Sequence, residues 1–192
     1  MKIIGITGGI GSGKTTICKV FKTLGTPVFH ADDEARSLYS EDNGLISEIK
    51  THFGEMVFTN NQLDKSKLAS IVFSDKNKLQ LLNRLVHPLT AIKFAEWLKS
   101  QTAPYVIREA AILIESGTYK DCDFIVQVTA KTEIKIKRVM ARSSMYEQQV
   151  LDRMSHQMTD EQRKPYCQFE ICNNDDQLVL PQIMKLHNIF KV

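Results

Sequence analysis

The sequence is poor in features that would anchor, staple or strongly charge it. Four cysteines occur, Cys18, Cys122, Cys167 and Cys172, and no two of them form a C-x-x-C pair. That excludes a zinc site of paired cysteines and predicts buried free thiols in a reducing compartment. No apolar run approaches the ~20 residues that span a bilayer. The opening Met1-Lys2-Ile3-Ile4-Gly5-Ile6-Thr7 runs straight into glycines, without the apolar region and small-residue cleavage site of a signal peptide. A cytoplasmic protein without membrane contact is expected. A one-sided charge is missing too: 25 Lys and Arg stand against 22 Asp and Glu, a net +3. So small an excess gives no argument for a nucleic-acid partner. No internal repeat or low-complexity tract is visible. What remains, 192 residues with 43% hydrophobic and 24% charged, is an ordinary globular composition, long enough for a core that needs no staple.

Residues Lys2 to Thr7 form a β-branched apolar run without alternation, which suits a strand buried on both faces. After the glycines, Ile17, Val20, Phe21 and Leu24 recur at helical spacing, and Gly25 stands where a helix ends. Val28-Phe29-His30-Ala31 reads as a second strand, so the chain opens as a βαβ unit. From Asp33 to Gln101 the pattern is mostly helical. Ser66–Phe73 and Lys76–Val86 carry helical spacing, and Pro88 looks like the first residue of a further helix with Ala91, Phe94, Ala95 and Leu98 inward. Asn43–Asp64 is turn-rich, with Asn43-Gly44 and Asn60-Asn61 as its turns. Strands follow at Tyr105-Val106-Ile107 and Asp123–Thr129, then a basic helix over Lys131–Arg142 and another over Glu147–Gln157. A last strand at Phe169–Cys172, a turn at Asn173–Asp176 and a final helix to about Phe190 complete the reading.

Gly8-Gly9-Ile10-Gly11-Ser12-Gly13-Lys14-Thr15 matches G-x-x-x-x-G-K-[ST] at every fixed position. A polyphosphate needs several donors converging on it, which backbone N–H groups supply only where the chain curls tightly. Glycine permits that curl, and a helix start adds unpaired N–H groups and the positive dipole end. Gly8, Gly9, Gly11, Ser12, Gly13, Lys14, Thr15 and Thr16 are therefore the expected nucleotide-binding residues. Lys14 reaches the β- and γ-phosphates of ATP, and the Thr15 hydroxyl holds Mg²⁺.

Three classes of protein use such a loop. No glycine has Asp three positions before it and no N/T-K-x-D occurs, which excludes a GTPase switch. An ATPase motor wants an apolar strand ending in Asp, and Tyr105–Ala111 is a poor match, with Arg108 and Glu109 inside it. A small-molecule kinase remains. Its acceptor hydroxyl needs a base or orienting group, and Asp32, just past the second strand at the ligand-facing sheet edge, is the best placed. The alternative is that Asp32 caps the helix starting at Asp33, and both roles can hold together. Transfer also needs cations around the spreading charge. Arg138 and Arg142 share one helix face, in the region where such kinases carry a lid, while a solvated face is the alternative for both.

Thr7-Gly8-Gly9-Ile10-Gly11-Ser12-Gly13-Lys14-Thr15-Thr16, followed by Leu24-Gly25 and by Ala31-Asp32-x-x-Ala35-Arg36, resembles the dephospho-coenzyme A kinase family. Val86-His87-Pro88, Ile112-Leu113-Ile114-Glu115, Arg138-x-x-x-Arg142 and Arg153-Met154-x-x-Gln157 resemble further elements of it, so the likeness runs to about Asn174. It implies an α/β P-loop nucleoside-triphosphate-hydrolase-like fold: a parallel sheet with helices on both faces, one domain over 1–192. Its core would be 1–32, 103–135 and 168–192, with a helical acceptor-binding insert at about 33–102 and a lid at about 138–165. It also implies ATP- and Mg²⁺-dependent phosphorylation of the ribose 3′-hydroxyl of dephospho-coenzyme A. Asp32, Lys14 and Arg142 would be catalytic. Arg138 would bind ATP, and Arg36, His87 and Glu115 would join Asp32 in binding the acceptor. His87 otherwise packs or caps at the Pro88 helix start. The protein would be a monomer or weak homo-oligomer. The family often has Asp-Ala-Asp where His30-Ala31-Asp32 stands, and Pro where Ala111 stands. A kinase of another alcohol or of a nucleoside monophosphate, and a non-catalytic ATP-binding module, are the alternatives.

Overall fold

The computed structural model describes the chain from Met1 to Val192 except Asn61, Ser144 and the side chain of Phe73. In chain order the first elements are β1 (Lys2–Thr7), α1 (Lys14–Thr23), β2 (Val28–His30), α2 (Ala31–Glu41) and α3 (Asn43–Phe53). There follow β3 (Phe58–Thr59), β4 (Gln62–Leu63), α4 (Lys65–Ser74), α5 (Lys76–Lys99) and β5 (Tyr105–Glu109). The rest are β6 (Phe124–Thr129), α6 (Thr132–Arg142), α7 (Glu147–Ser155), α8 (Asp160–Arg163), β7 (Phe169–Cys172) and α9 (Val179–Lys191). The chain divides into two compact units, Met1–His30 with Gln101–Val192, and Ala31–Ser100.

The first unit is built on a five-stranded sheet of order β2-β5-β1-β6-β7. Every pairing in it is parallel. Parallel strands need helical crossovers on the faces, so a central strand is covered twice and must be apolar on both sides. β1 sets Ile4 and Ile6, both fully buried, on one face, and on the other Gly5 lies close against Leu113 and Cys122. Helix α1 lays Ile17, Cys18 and Phe21 on the same core, and α9 adds Ile183, Leu186 and Phe190. The Phe190 ring meets Tyr105, Phe124 and Phe169 at 5.5, 6.0 and 5.4 Å. Truncating so buried a ring costs ~3–5 kcal/mol.

The second unit has its own core of Leu38, Leu45, Ile49, Phe53, Val57, Leu68, Val72, Leu82 and Val86. Three aspartates start its helices. Asp42 accepts from Leu45 N (2.8 Å), Asp64 from Ser66 N and Lys67 N (3.0 and 3.1 Å), and Asp75 from Asn77 N (2.8 Å). Each cap is worth ~1 kcal/mol.

Two sequence expectations change here, at Asn43-Gly44 and at Pro88. Asn43-Gly44, expected as a turn, opens α3, because Asp42 supplies the cap. Of the expected Asn60-Asn61 turn, Asn60 has φ 51° beside the β3–β4 pairing, and Asn61 lies outside the described residues. Pro88 does not begin a helix; it sits inside the 24-residue α5. An interior proline costs ~3 kcal/mol, but Pro88 and Arg84 are both exposed, so water reaches the carbonyl that the missing N–H leaves. Leu82, Val86 and Phe94 hold the helix together on its buried side. The thiols differ as well: Cys18 is buried, while Cys122, Cys167 and Cys172 are half-buried, and all four are free. Burial pushes the Cys167 thiol up to about 11 and the Cys122 thiol up to about 12. Among the described residues no helix is long and apolar enough to cross a membrane.

A buried polar chain closes the sheet against α9. The Thr26 hydroxyl donates to Tyr105 Oη (2.9 Å), and Tyr105 Oη lies 2.6 Å from His187 Nδ1. With the Thr26 proton directed at Tyr105, the Tyr105 proton goes to Nδ1, which requires a neutral imidazole. His187 is only 4% exposed, and burial, then nearby Lys191, lowers its pKa. The unfolded chain therefore binds this proton more readily than the folded one. Its contribution to stability should be complete above about pH 6.5 and fall as the pH drops below that value. Urea unfolding of the wild type between pH 7.5 and 5 should show this decline, and His187→Gln should remove most of it. An unchanged decline in the variant would show that other groups carry it.

Candidate active site

β1 ends at Thr7, and Gly8–Gly13 turns the chain into α1. The turn is closed by Ser12 N donating to Gly9 O (3.1 Å) and by Thr16 N and Ile17 N donating to Gly13 O (3.0 and 3.1 Å). Gly11 and Gly13 have φ of 80° and 95°, a region that L side chains rarely occupy. They also leave no space for a side chain. A Cβ on Gly11 would strike the Lys135 carbonyl, and one on Gly13 the Asn173 amide nitrogen. The same amide, at the end of β7, donates to Ser12 O (2.7 Å). The loop is thus pressed between α6 and the end of β7.

Helix α1, like α9, starts without a side-chain cap or an acidic first turn, but it does so where the glycine loop ends. Its N-cap is Gly13. Its dipole end is left to an external anion. Lys14, 9% exposed, turns back so that Nζ donates to Gly8 O (2.8 Å) and Gly9 O (3.4 Å). Thr15 and Thr16 are exposed on the first turn. An ammonium held by neutral carbonyls gains more from an ionised phosphate, because charge-assisted bonds are roughly twice as strong as neutral ones.

Around the loop stand two basic groups. Arg138 is half-buried: its NH2 donates to Asp175 Oδ1 (2.7 Å), and its NH1 lies 3.8 Å from the Cβ position of Gly13. Arg142, one turn on, is exposed at the end of α6. On the Gly9 side, Lys135 Nζ, Arg163 NH1 and Gln157 Oε1 approach the Cβ position to 3.6, 3.8 and 3.9 Å. Lys135 pairs with Asp160, and Arg163, 1% exposed, pairs with Asp160 (3.2 Å) and Glu115 (3.6 Å). A cavity of about 460 Å³ opens here, between the start of α6 and the α7–α8 segment. Glu115 also accepts from Met158 N (3.0 Å), so its carboxylate is engaged with this arm of the protein.

One acid escaped the sequence reading. Arg108 and Glu109 were expected to spoil an apolar strand, yet both belong to β5 and both are buried. Glu109, 6% exposed, is the last residue of β5 and the register partner of Ile6 in β1. It therefore lies one strand over from the start of the loop. His30 Nδ1 stands 3.0 Å from its carboxylate, while Arg108 bonds Asp121 (3.3 Å). Burial, then the Glu109 charge, pushes the Cys18 thiol up against the pull of Lys14. The signal was present as the strand Tyr105-Val106-Ile107, but only the pairing with β1 shows that Glu109 ends it beside the loop.

In the second unit, Asp32 lies half-buried in the first turn of α2, two residues after the end of β2. The helix begins at Ala31, so Asp32 is not its N-cap, which corrects that alternative. Arg36 is exposed and pairs with Asp33 (2.9 Å). His87 is half-buried in the middle of α5 rather than at a helix start. Among the described residues no group of three or more His, Cys, Asp or Glu could by itself hold a metal ion.

The dephospho-CoA kinase family matches residues 2–179. A protein named dephospho-CoA kinase from Bacteroides fragilis is 34% identical over 184 residues, covering 95% of this chain and 90% of that one. A crystal structure from Thermus thermophilus is 32% identical and covers 98% of this chain and 95% of that one, with a TM-score of 0.86. Dephospho-CoA kinase from Campylobacter jejuni, 22% identical with coverage of 98% and 96%, shares the fold at a TM-score of 0.68. A P-loop kinase uses a nucleotide triphosphate, and this parallel sheet with its loop at the end of β1 is that fold. The chain belongs to the dephospho-CoA kinase family.

Proposed function

We propose that the chain transfers the γ-phosphoryl group of ATP to the ribose 3′-hydroxyl of dephospho-coenzyme A, giving coenzyme A. The observation that carries this reading is the glycine curl at the end of β1. It opens a helix without cap or acid and holds Lys14 at its mouth, in a chain of this family. On this reading Lys14 and the loop amides of Gly8, Gly9 and Gly11 to Thr16 hold the phosphates in line for transfer, where positioning and charge stabilisation supply most of the catalysis. Arg138, beside Gly13, binds the nucleotide. Arg142 neutralises the charge that spreads over the transferring group when the lid at about 138–165 covers it and excludes water. Asp32 accepts or orients the 3′-hydroxyl proton. Arg36, His87 and Glu115 bind the acceptor.

The residues present fit Mg²⁺. The ion takes one or two carboxylates together with phosphate oxygens and water rather than a protein cage. Thr15 exposes a hydroxyl on the first turn of α1, and Glu109 offers one buried carboxylate next to β1. Thr15 and Glu109 would hold the ion. When bound, it neutralises charge on the β- and γ-phosphates. The reaction takes place in the cytoplasm, with the protein a monomer or weak homo-oligomer.

A coupled ADP-release assay with a panel of acceptors tests the assignment. Dephospho-coenzyme A should exceed any nucleoside monophosphate by about a hundredfold or more in kcat/KM, and equal rates would reject it. ATP binding without acceptor-dependent turnover would reveal a non-catalytic module instead. Asp32→Asn should lower kcat by about 10²–10⁴-fold while ATP affinity, measured by calorimetry, stays within about twofold of wild type. Turnover that survives this change would remove Asp32 as the base. Glu109→Gln should raise the Mg²⁺ concentration for half-maximal rate by about tenfold, and an unchanged Mg²⁺ profile would separate Glu109 from the ion.

A further inference from the structure

We infer that Gln157 is a positioning residue for the phosphate-binding loop. Its side-chain carbonyl holds the Ile10 N–H from outside, at 2.9 Å across 147 residues of sequence. The inference rests on the reading that this loop binds ATP, and it assigns a task to the Arg153-Met154-x-x-Gln157 element that the chemistry above leaves unused.

A loop that curls its amides around an anion cannot turn all of them inward. Ile10, at the apex, is half-buried, and its N–H needs an acceptor on the outer side, because an unpaired buried donor is costly. Gln157 supplies that acceptor, and its own backbone is tied on both sides. Gln157 N donates to Met154 O at the end of α7 (3.0 Å), and the next amide, Met158 N, donates to Glu115 (3.0 Å). Further on, Asp160 O accepts from the Gln127 amide (2.8 Å). Gln127 is on β6, in register with Thr7 at the end of β1. The arm that carries Gln157 is thus fastened to the same sheet edge from which the loop springs.

The charges nearby have the same purpose. Lys135 and Arg163 are balanced by Asp160 and Glu115, so the quartet is neutral. Its cations are already engaged with carboxylates, which leaves it poorly suited to capture an anion and well suited to fix the arm. The side chain at 157 must also be neutral. A carboxylate could accept from Ile10, but it would set a negative charge against a loop that binds phosphates. An amide carbonyl holds the N–H without that penalty.

Residue-resolved amide exchange and ATP calorimetry on the full chain test the inference. In the wild type without nucleotide, the Ile10 amide should exchange far more slowly than an exposed amide. Gln157→Met, close in size but lacking the acceptor, should speed that exchange. It should also weaken ATP binding and raise KM for ATP by about tenfold, with KM for dephospho-coenzyme A within about twofold. Gln157→Glu should keep Ile10 protected yet still bind ATP less tightly. Wild-type ATP affinity in Gln157→Met would overturn the proposal. So would an unprotected Ile10 amide in the wild type, a result that does not depend on either variant folding. Failure of the wild type itself to bind ATP would instead reject the reading of the loop.

Discussion

The closeness of the loop to one neighbouring backbone and one neighbouring side chain is the constraint on which the rest of the site depends. Gly11 lies against the Lys135 carbonyl and Gly13 against the Asn173 side chain, so neither position can accept even a methyl group. This contact exists because the sheet order puts β6 next to β1 and β7 next to β6. Helix α6, following β6, and Asn173, following β7, then arrive at the same edge. A loop of this composition on a different sheet would have its glycines but not its walls. The curl would become one of several conformations, and anion affinity would fall by the fraction of time spent in it.

Charge is arranged to keep that loop attractive to anions. Helices α3, α4 and α5 of the second unit begin with aspartate caps, whereas α1 begins with a bare glycine. Each cap stabilises its helix by ~1 kcal/mol, so α1 forgoes such a gain and leaves its N–H groups to the nucleotide. Three carboxylates near the loop are committed to cations of the protein: Asp160 and Glu115 to buried Lys135 and Arg163, and Asp175 to Arg138. Helix packing replaces the missing cap energy, since Ile17, Cys18 and Phe21 bury one face of α1 in the core.

Much of this was readable in the residues because it is local. A β-branched run, a glycine loop and an amphipathic helix announce themselves within about 25 residues, and P-loop spacing is a pattern of adjacent positions. What could not be read is non-local or tertiary. Glu109 looks like a flaw in an apolar strand until β5 is paired with β1. Gln157 and Ile10 are far apart in sequence, and no periodicity joins them. Pro88 was misread because local rules place proline at helix starts, whereas in α5 the solvent exposure of Pro88 and Arg84 makes the broken bond tolerable. Asn43-Gly44 was misread for the opposite reason: the turn propensity of the pair outweighed the cap that Asp42 provides one residue earlier.

At the end of β2 an imidazole, rather than a second carboxylate, faces the buried Glu109. His30 closes that strand with its ring against Glu109, and Asp32 follows two residues later. An aspartate at position 30, common in the family this chain resembles, would bring a second carboxylate toward one that is already buried. Two acids sharing so dry a space do not both ionise readily; one would hold a proton or require a cation. An imidazole instead offers a ring N–H to the single carboxylate and imposes no second negative charge. Glu109 stays oriented by a neighbour on the adjacent strand, in a parallel register that pairs His30 with Glu109 and Glu109 with Ile6. The strand geometry, more than the identity of the residue at position 30, therefore sets where this acid stands relative to the loop.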